Sequence, residues 1–233
     1  MQRVRPARER PILFSAPMVR ALLAGTKTQT RRVLKVQPPL GTTSVAAYHH
    51  PDDSDGRPRF WSLGPDPEAH GATDYLQLGW AYPCPYGRPG ERLWVRETHA
   101  PQPDCSLSWE KWMRGAGGEK PIIHYAADAT ERTWVDQWRP SIHMPRWASR
   151  IDLEITGVRV ERLQDISEAD AIAEGISGPH NVGYPAYRVP DDSKPRYSRA
   201  SAAYEALWEQ INGDGSWAAD PWVWVVEFRK AQP

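Results

Sequence analysis

The chain has 233 residues, with 29 basic side chains (Lys and Arg), 29 acidic ones (Asp and Glu) and two cysteines. This length fits one elaborated domain or two small ones. The zero net charge argues against a surface that attracts anions everywhere. Two cysteines without a CxxC pair argue against a disulfide framework or a structural zinc site. No apolar run approaches the roughly 18–20 residues that span a bilayer, and no signal-peptide segment opens the chain. We therefore expect a soluble, cytoplasmic protein without a membrane partner.

Basic residues are concentrated at the N-terminal end of the chain. Residues 1–35 hold nine Lys and Arg against a single acid, Glu9. This distribution predicts a solvated basic tail over 1–10 and a second basic cluster over 27–32. Nucleic-acid binding driven by charge is therefore expected to be local and N-terminal.

Helix and strand patterns begin at residue 11. The segment PILF (11–14) predicts a short strand. In the helix predicted next, Ser15 is a candidate N-cap and Gly25 marks the end. The segment GTKTQTRR (25–32) thus begins where a helix ends, and it leads into another strand.

Two long irregular insertions are predicted in the middle of the chain. Residues 36–90 are rich in Pro and Gly with little periodicity, which favours an insertion with a hairpin of its own. A strand follows over 91–100. A second irregular stretch, 101–120, separates it from another strand at 121–127.

The C-terminal part alternates strands and helices. A strand is predicted over 150–163, where the apolar alternation shifts phase at Gly157. A glycine at such a shift indicates a β-bulge, which curves a sheet toward a barrel. Helices are predicted over 165–176 and 198–213, with a polar loop over 177–197 between them. The second helix carries one apolar stripe, formed by Tyr204, Leu207, Trp208 and Ile211.

A last strand, 221–230, completes the predicted elements. Five or six strands, a few helices and one bulge indicate an α+β fold with a small, partly open barrel. We expect a single domain over 11–233, interrupted by the insertions.

The first candidate site lies in GTKTQTRR. Lys27 and Thr30 are three residues apart and share a face if the turn stays helical. A neutral Lys27 can take the proton of the Thr30 hydroxyl and make it a nucleophile. That role needs a depressed Lys27 pKa, from burial or from the neighbouring cations Arg31 and Arg32. The competing interpretation is a helix C-terminus carrying cations, which the helix dipole favours.

Glu174 is predicted at a position where the helix dipole disfavours a negative charge. It is predicted in the last turn of a short helix, directly before Gly175, where its charge opposes the dipole by about 0.3–1 kcal/mol. Functional residues often occupy such unfavourable positions. A solvated glutamate explains the same pattern.

Charged and aromatic residues mark a second region. Arg96 and Glu97 end the LWVRE segment of the strand predicted at 91–100, with side chains on opposite faces. They indicate either a structural charge pair or a substrate contact. If the Glu97 face is the core, this carboxylate needs a partner. The segment at 140–150 adds candidate contacts for a phosphate or a stacked base: His143, Arg146 and Trp147.

No metal or cofactor is expected from the sequence. No histidine pair has metal-ligand spacing, and no P-loop, Rossmann or nucleophile-elbow motif is present.

Four segments occur in a recognisable order: ILFSAPMVRALLAGTKTQTRR, PGERLWVRET, ITGVRVERLQDISEADAIAEGI and PWVWVVEF. Together they resemble the ASCH family, a PUA-like β-barrel superfamily associated with RNA, in the longer versions common in phages and prophages. The likeness lies within 11–35, 88–100, 140–176 and 198–229, a little over half of the chain. It implies a PUA-like barrel of five to six strands with flanking helices. In the family's G-D-x-L-x-V stretch, Glu91 replaces the usual Asp.

The resemblance also implies roles for particular residues. In the smallest ASCH proteins, amidohydrolases that act on N(4)-acetylcytidine and related acylated nucleosides, a G-x-K-T-x-T segment supplies the working Lys and Thr. These roles fall on Lys27 and Thr30, and that of a helix-borne Glu falls on Glu174. Supporting contacts to the substrate are expected from six further residues: Arg31, Arg96, Glu97, His143, Arg146 and Trp147.

The function implied is removal of an acyl group from the exocyclic amine of an N(4)-acylated cytosine, in a nucleoside or in RNA, without a cofactor. Two alternatives stay open. One is a non-catalytic module that binds RNA or modified nucleic acid, and the other is a ribonuclease.

Overall fold

The computed structural model describes residues 8–48, 59–65, 75–101, 122–130, 133, 135, 137–179, 186–190 and 197–231. Within these ranges the chain has a mixed α+β fold. Its strands and α-helices are β1 (Glu9–Leu13), α1 (Ala16–Leu23), β2 (Gln29–Val33), β3 (Ser44–Tyr48), β4 (Arg59–Pro65), β5 (Tyr75–Pro83), β6 (Arg92–Arg96), β7 (His99–Pro101), β8 (Ile123–Tyr125), β9 (Asp152–Arg162), α2 (Glu168–Ala173), α3 (Ala200–Asn212) and β10 (Trp222–Lys230). Among the helices described, none has the length and apolar content needed to cross a membrane.

A five-stranded sheet in the order β1-β6-β9-β10-β2 carries the candidate site. β1 and β6 run parallel, whereas the other neighbours are antiparallel. The edge strands β1 and β2 do not pair with each other in the part of the chain that the structure describes, so strand pairing does not close this sheet into a barrel. Instead, the Arg32 guanidinium donates a hydrogen bond to the Leu13 carbonyl oxygen across 2.8 Å.

The pairing of β9 with β10 shifts register where the sequence predicts a bulge. Glu227 lies opposite Gly157, and the next pair joins Phe228 to Ile155. Thr156 is therefore left without a counterpart on β10. The β-bulge predicted at the phase shift is confirmed, and it bends and twists the sheet locally.

The turn after α1 does not stay helical. Gly25 has a φ of 74°, a left-handed value that glycine adopts without strain and that ends the helix as predicted. Lys27 then forms an isolated backbone bridge with Glu174, and β2 begins at Gln29. Lys27 and Thr30 are therefore presented by extended backbone and not by one helix face.

Helices α2 and α3 are tied together by one carboxylate. Glu168, in the first turn of α2, accepts hydrogen bonds from the backbone N–H groups of Ala200 at 2.7 Å and Ser201 at 3.2 Å. These are donors that the first turn of α3 cannot satisfy internally. The hydroxyl of Ser201 also donates to the Glu168 carboxylate. In α3, Ile211 is 60% exposed, so the predicted apolar stripe ends one turn early.

In its described part, the first insertion is not irregular. Residues 36–90 contain β3, β4 and β5, which form a three-stranded antiparallel sheet. The predicted hairpin is thus part of a larger sheet, and the Phe60 ring of β4 packs edge-on against Trp224 of β10 with the centroids 4.9 Å apart. The first five residues of β10 are all buried and apolar, as expected for a strand that is covered on both faces.

Two other boundaries differ from the predictions. The predicted tail over 1–10 is too long, because β1 starts at Glu9 and Arg10 forms an ion pair with Glu91. The strand predicted over 91–100 is interrupted after Arg96 and resumes as β7, which pairs with β8.

The remaining insertion predictions are only partly covered. Residues 1–7 and nearly all of 101–120 lie outside the described residues. Of the loop at 177–197, the described part contains isolated bridges, from Ser177 to Arg188 and from Tyr187 to Tyr197.

Candidate active site

A cavity of about 330 Å³ lies among the end of β1, the start of β2, the residue that follows α2, and one face of α3. Its volume is at the lower end of the range typical of small-molecule sites. Its charged and hydroxyl-bearing lining includes Lys27, Thr30, Arg31, Arg32 and Glu174, and its aromatic and apolar lining includes Phe14, Tyr204, Leu207 and Trp208. The three residues to which the resemblance gives catalytic roles therefore share one cavity.

Lys27 and Glu174 form a buried ion pair in the cavity wall. The Lys27 Nζ donates to the Glu174 carboxylate at 2.7 Å and to the Glu174 backbone carbonyl at 2.8 Å. The two side chains are 2% and 4% exposed. The backbone bridge between the same residues, and the hydrogen bond from the Thr28 N–H to the Ala173 carbonyl at 2.8 Å, fix the two segments against each other.

Burial lowers the pKa of Lys27 from its ordinary value of 10.5, because the ammonium loses its hydration. The negative charge of Glu174 opposes this shift, and the positive charges of Arg32 and Arg31 reinforce it. The net direction is downward. Lys27 therefore gives up its proton more readily than a solvated lysine does, which is the condition that a role as a base requires.

Glu174 is the C-cap residue of α2, one position past the last helical residue. Its backbone N–H still bonds to the Asp170 carbonyl at 2.8 Å, and Gly175 then turns the chain with a φ of 104°. The unfavourable position of its charge at the helix end is offset by two cations, since both Lys27 and Arg31 contact its carboxylate. The Glu174 carboxylate, whose position at a helix C-terminus is unfavourable for a negative charge, is thus paired with cations and not solvated.

Arg31 is held by carboxylates on three sides. Its Nη1 lies 3.4 Å from the Glu174 carboxylate, and its Nη2 contacts Asp170 at 3.3 Å and, more closely, Glu161. The side chain has no exposed surface. Its charge is therefore already compensated by the protein, although a substrate contact was predicted for it.

Thr30 lies in β2 opposite Val226 of β10, and it is 1% exposed. Within the described residues, its hydroxyl makes no hydrogen bond, either with Lys27 or with any other group. The hydroxyl is therefore available to a molecule in the cavity.

The structure also brings aromatic residues of α3 to the cavity that sequence reasoning missed. Tyr204 and Trp208 were assigned to an apolar helix stripe, which is their packing role, and both are about 95% buried. Each nevertheless carries a hydrogen-bond donor. Leaving such a donor unpaired when it is buried costs about 1–3 kcal/mol. The polar atoms at the ends of Tyr and Trp side chains were the feature that could have marked them as site residues.

The other predicted contact residues do not line the cavity. The guanidinium of Arg96 stacks on the Trp94 ring, with its carbon 4.6 Å from the ring centre, and donates to the Ile142 carbonyl at 3.2 Å. Arg146 covers the same ring at 5.8 Å and pairs with Glu9 at 2.8 Å.

His143 and Trp147 lie nearby, in short 3₁₀ turns that span Ser141–His143 and Arg146–Ala148. His143 is exposed and Trp147 is partly buried. The structure thus separates these residues from Lys27, Thr30 and Glu174.

Glu97 belongs to a second buried ion pair. Its side chain is 1% exposed, and both of its oxygens accept hydrogen bonds from Arg150, at 2.9 Å each. Arg150 also pairs with Asp128 and stacks over Tyr125 at 3.9 Å. The partner that a buried Glu97 was predicted to need is therefore Arg150, and burial raises the pKa of Glu97 against the lowering effect of this arginine.

Among the described residues, no group of three or more His, Cys, Asp and Glu side chains is arranged to hold a metal ion. The chain was compared with models of protein families, with curated proteins and with solved structures, and it matches none of them.

Proposed function

We propose that the chain is an ASCH-type domain that removes the acyl group from N(4)-acylated cytosine. The five-stranded sheet would be the sheet of a PUA-like barrel, with the Arg32–Leu13 hydrogen bond spanning the edge between β1 and β2. The bulge at Gly157 supports this assignment, because bulges supply the curvature that such barrels need.

One observation carries the proposed activity. Lys27, Thr30 and Glu174 line a single cavity, with Lys27 and Glu174 in direct contact and with the Thr30 hydroxyl open to a ligand. A nucleophile, a base with a lowered pKa and a carboxylate that orients the base are the components of covalent acyl transfer.

The two hydrogen bonds from Lys27 to Glu174 define the direction of proton transfer. A neutral amine has two protons, and the carboxylate and carbonyl of Glu174 accept both of them. The amine lone pair is then left for the proton of Thr30.

The first half of the reaction forms an ester. The Thr30 oxygen bonds to the acyl carbon while its proton passes to the Lys27 amine. The tetrahedral oxyanion then collapses, the bond from the acyl carbon to the exocyclic nitrogen breaks, and that nitrogen takes the proton from Lys27. Cytosine leaves with its free amine, and the acyl group remains on Thr30.

The second half restores the protein. Water attacks the ester and gives its proton to Lys27, and the Thr30 oxygen leaves and recovers that proton. The carboxylic acid is released. Glu174 keeps Lys27 in place and exchanges protons with it through their 2.7 Å contact. The reaction uses no cofactor, takes a nucleoside or RNA as substrate, and would take place in the cytoplasm.

The test is incubation of the purified chain with N(4)-acetylcytidine, followed by chromatographic measurement of released cytidine. We expect turnover by the wild type and a loss on the order of 10⁴-fold in Thr30→Ala and Lys27→Met. Thr28→Ala is the matched control, because Thr28 lies in the same segment but is exposed and does not line the cavity.

Other outcomes would replace the proposal. Absence of turnover together with salt-dependent RNA binding that survives Lys27→Met would indicate a binding module. Cleavage of RNA strands in place of deacylation would indicate a ribonuclease.

A further inference from the structure

One wall of the cavity is formed by aromatic side chains of α3. Tyr204 and Trp208 lie one helical turn apart, with their ring centroids separated by 6.2 Å. Trp217 packs edge-on against Tyr204 at 6.3 Å, and the Arg31 guanidinium lies 5.9 Å from the Tyr204 ring centre. Both rings are therefore held in position before any ligand binds.

This wall presents one hydrogen-bond donor that a ligand can reach. Within the described residues, the Tyr204 hydroxyl makes no hydrogen bond, and its oxygen is not fully enclosed although the residue is only 4% exposed. The Trp208 Nε1–H and the Arg31 Nε–H are also unpaired, but they are fully enclosed, so a molecule in the cavity does not contact them. Nearly all buried polar groups in proteins are paired, so an open, unpaired hydroxyl on the lining of a cavity is explained by a bound molecule that supplies the acceptor.

The Tyr204 hydroxyl remains a donor at neutral pH. Burial raises the pKa of Tyr204 well above its ordinary value of 10, and the nearby negative charge of Glu174 raises it further. A neutral phenol next to a reacting carbonyl donates a hydrogen bond without adding a charge to the site.

We propose, on the basis of the amidohydrolase function above, that the Tyr204 hydroxyl binds the acyl carbonyl oxygen of the substrate. It donates a hydrogen bond to this oxygen, on which negative charge develops during attack by Thr30.

The position of Tyr204 fits this role. Tyr204 lies against Arg31 and close enough to Glu174 to respond to its charge, so it is at the reacting end of the cavity. Trp208, one helical turn further along α3, contributes the ring that packs beside Tyr204 in the same wall.

The first experiment measures turnover of N(4)-acetylcytidine by Tyr204→Phe, which removes only the hydroxyl. Because the contact strengthens as the oxyanion forms, we expect kcat to fall about 10²–10³-fold with little change in KM. Tyr197→Phe, on a partly buried tyrosine outside the cavity, is the matched control and keeps full activity.

The second experiment measures binding of N(4)-acetylcytidine to Thr30→Ala by calorimetry, with and without Tyr204→Phe. Because the carbonyl oxygen of the bound substrate carries little charge, we expect the loss of the Tyr204 hydroxyl to weaken binding only about 2- to 3-fold.

Failure of this inference is distinguishable from failure of the proposed function. If the wild type deacylates N(4)-acetylcytidine but Tyr204→Phe keeps its kcat, Tyr204 does not act as proposed. If the wild type shows no turnover, the amidohydrolase is wrong. The inference is then decided by the calorimetric comparison, and equal affinity with and without the Tyr204 hydroxyl, or no binding, overturns it.

Discussion

Glu97 and Glu174 are both buried and held by cations, but their surroundings are very different. Glu174 contacts Lys27 and Arg31 in the wall of a cavity. Glu97 is bound through both oxygens by Arg150, which is itself stacked on Tyr125. Around Glu97 the cation is fully engaged by protein groups, whereas around Glu174 several donors lack acceptors.

The difference shows what makes a buried charge pair a candidate site. Burial and pairing are shared by both clusters, so neither property discriminates between them. What distinguishes the Glu174 cluster is an adjacent cavity and side chains whose hydrogen-bonding capacity is unused. An arrangement of this kind is suited to ligand binding, and a closed one is suited to holding strands together.

The largest expected effect separates the two glutamates by activity. Glu174→Gln leaves Lys27 and Arg31 buried with too few carboxylates, so we expect a loss of about 3–5 kcal/mol in the free energy of unfolding. Glu97→Gln is expected to cost about 1–3 kcal/mol, because Arg150 keeps Asp128 and reaches solvent. In urea titrations paired with turnover assays, only Glu174→Gln should lose deacylation while still folded. Equal loss of activity in folded Glu97→Gln would remove the distinction.

A second expected effect concerns pH: the stability that Lys27 contributes and the stability that Glu97 contributes should change with pH in opposite directions. The lowered pKa of Lys27 means that the folded chain binds fewer protons than the unfolded chain between that pKa and 10.5. Stability from this group therefore rises with pH across that window, and the deacylation rate rises as Lys27 loses its proton. Lys27→Met should abolish the rise in stability, measured as the difference in unfolding free energy from the wild type at each pH.

The stability that Glu97 contributes changes with pH in the opposite direction. Its pKa is raised above 4.5, so the folded chain binds more protons than the unfolded chain just above that pH. The stability it contributes is present below pH 4.5 and is lost as pH rises through the raised pKa. Glu97→Gln should remove this loss without affecting the alkaline rise due to Lys27. A change in the alkaline limb would show that the clusters are coupled.

The smallest expected effect compares two glycines with positive φ. Gly175 follows Glu174 with a φ of 104°, and an added Cβ would lie 3.3 Å from the Ala21 Cβ and 3.7 Å from the Lys27 Cβ. Gly90 has a φ of 86° with nothing within 4 Å. Alanine at either position should cost about 1–2 kcal/mol in left-handed strain, measured by thermal unfolding.

Activity separates these glycine variants. Only Gly175→Ala also crowds a neighbour, the Ala21 Cβ at 3.3 Å, so it should shift the segment that carries Glu174 and slow deacylation roughly 10-fold. An equally slow Gly90→Ala would mean that strain, and not this close contact, controls the rate.

Local features of the fold could be predicted from the sequence. The phase shift at Gly157 identified the bulge, because alternation reports directly which residues face the core. The end of α1 at Gly25 followed from the freedom of glycine to adopt positive φ. The first insertion was predicted only as an irregular stretch with a hairpin, and its three-stranded sheet was missed, since Pro- and Gly-rich connections obscured the short alternating runs between them.

The candidate site was predictable only in part, for the same physical reason. Lys27 and Glu174 stand out locally, but their contact joins positions 147 residues apart and depends on tertiary packing. Arg96 and Arg146 carry the same chemical groups as Arg31, and only the fold assigns them to a different face. Tyr204 was hidden because an apolar helix stripe does not reveal which of its polar ends meets a cavity.

The carboxylate of Glu168 has a consequence for how the chain tolerates change. It joins the N-terminus of α3 to the N-terminus of α2. This contact positions α3, which carries Tyr204, against α2, which precedes Glu174. The length of the polypeptide between the two helices then does not determine the distance between them. Natural or engineered changes in the length of that connecting segment would leave the spacing of the two cavity walls intact, as long as the hydrogen bonds to Glu168 are preserved.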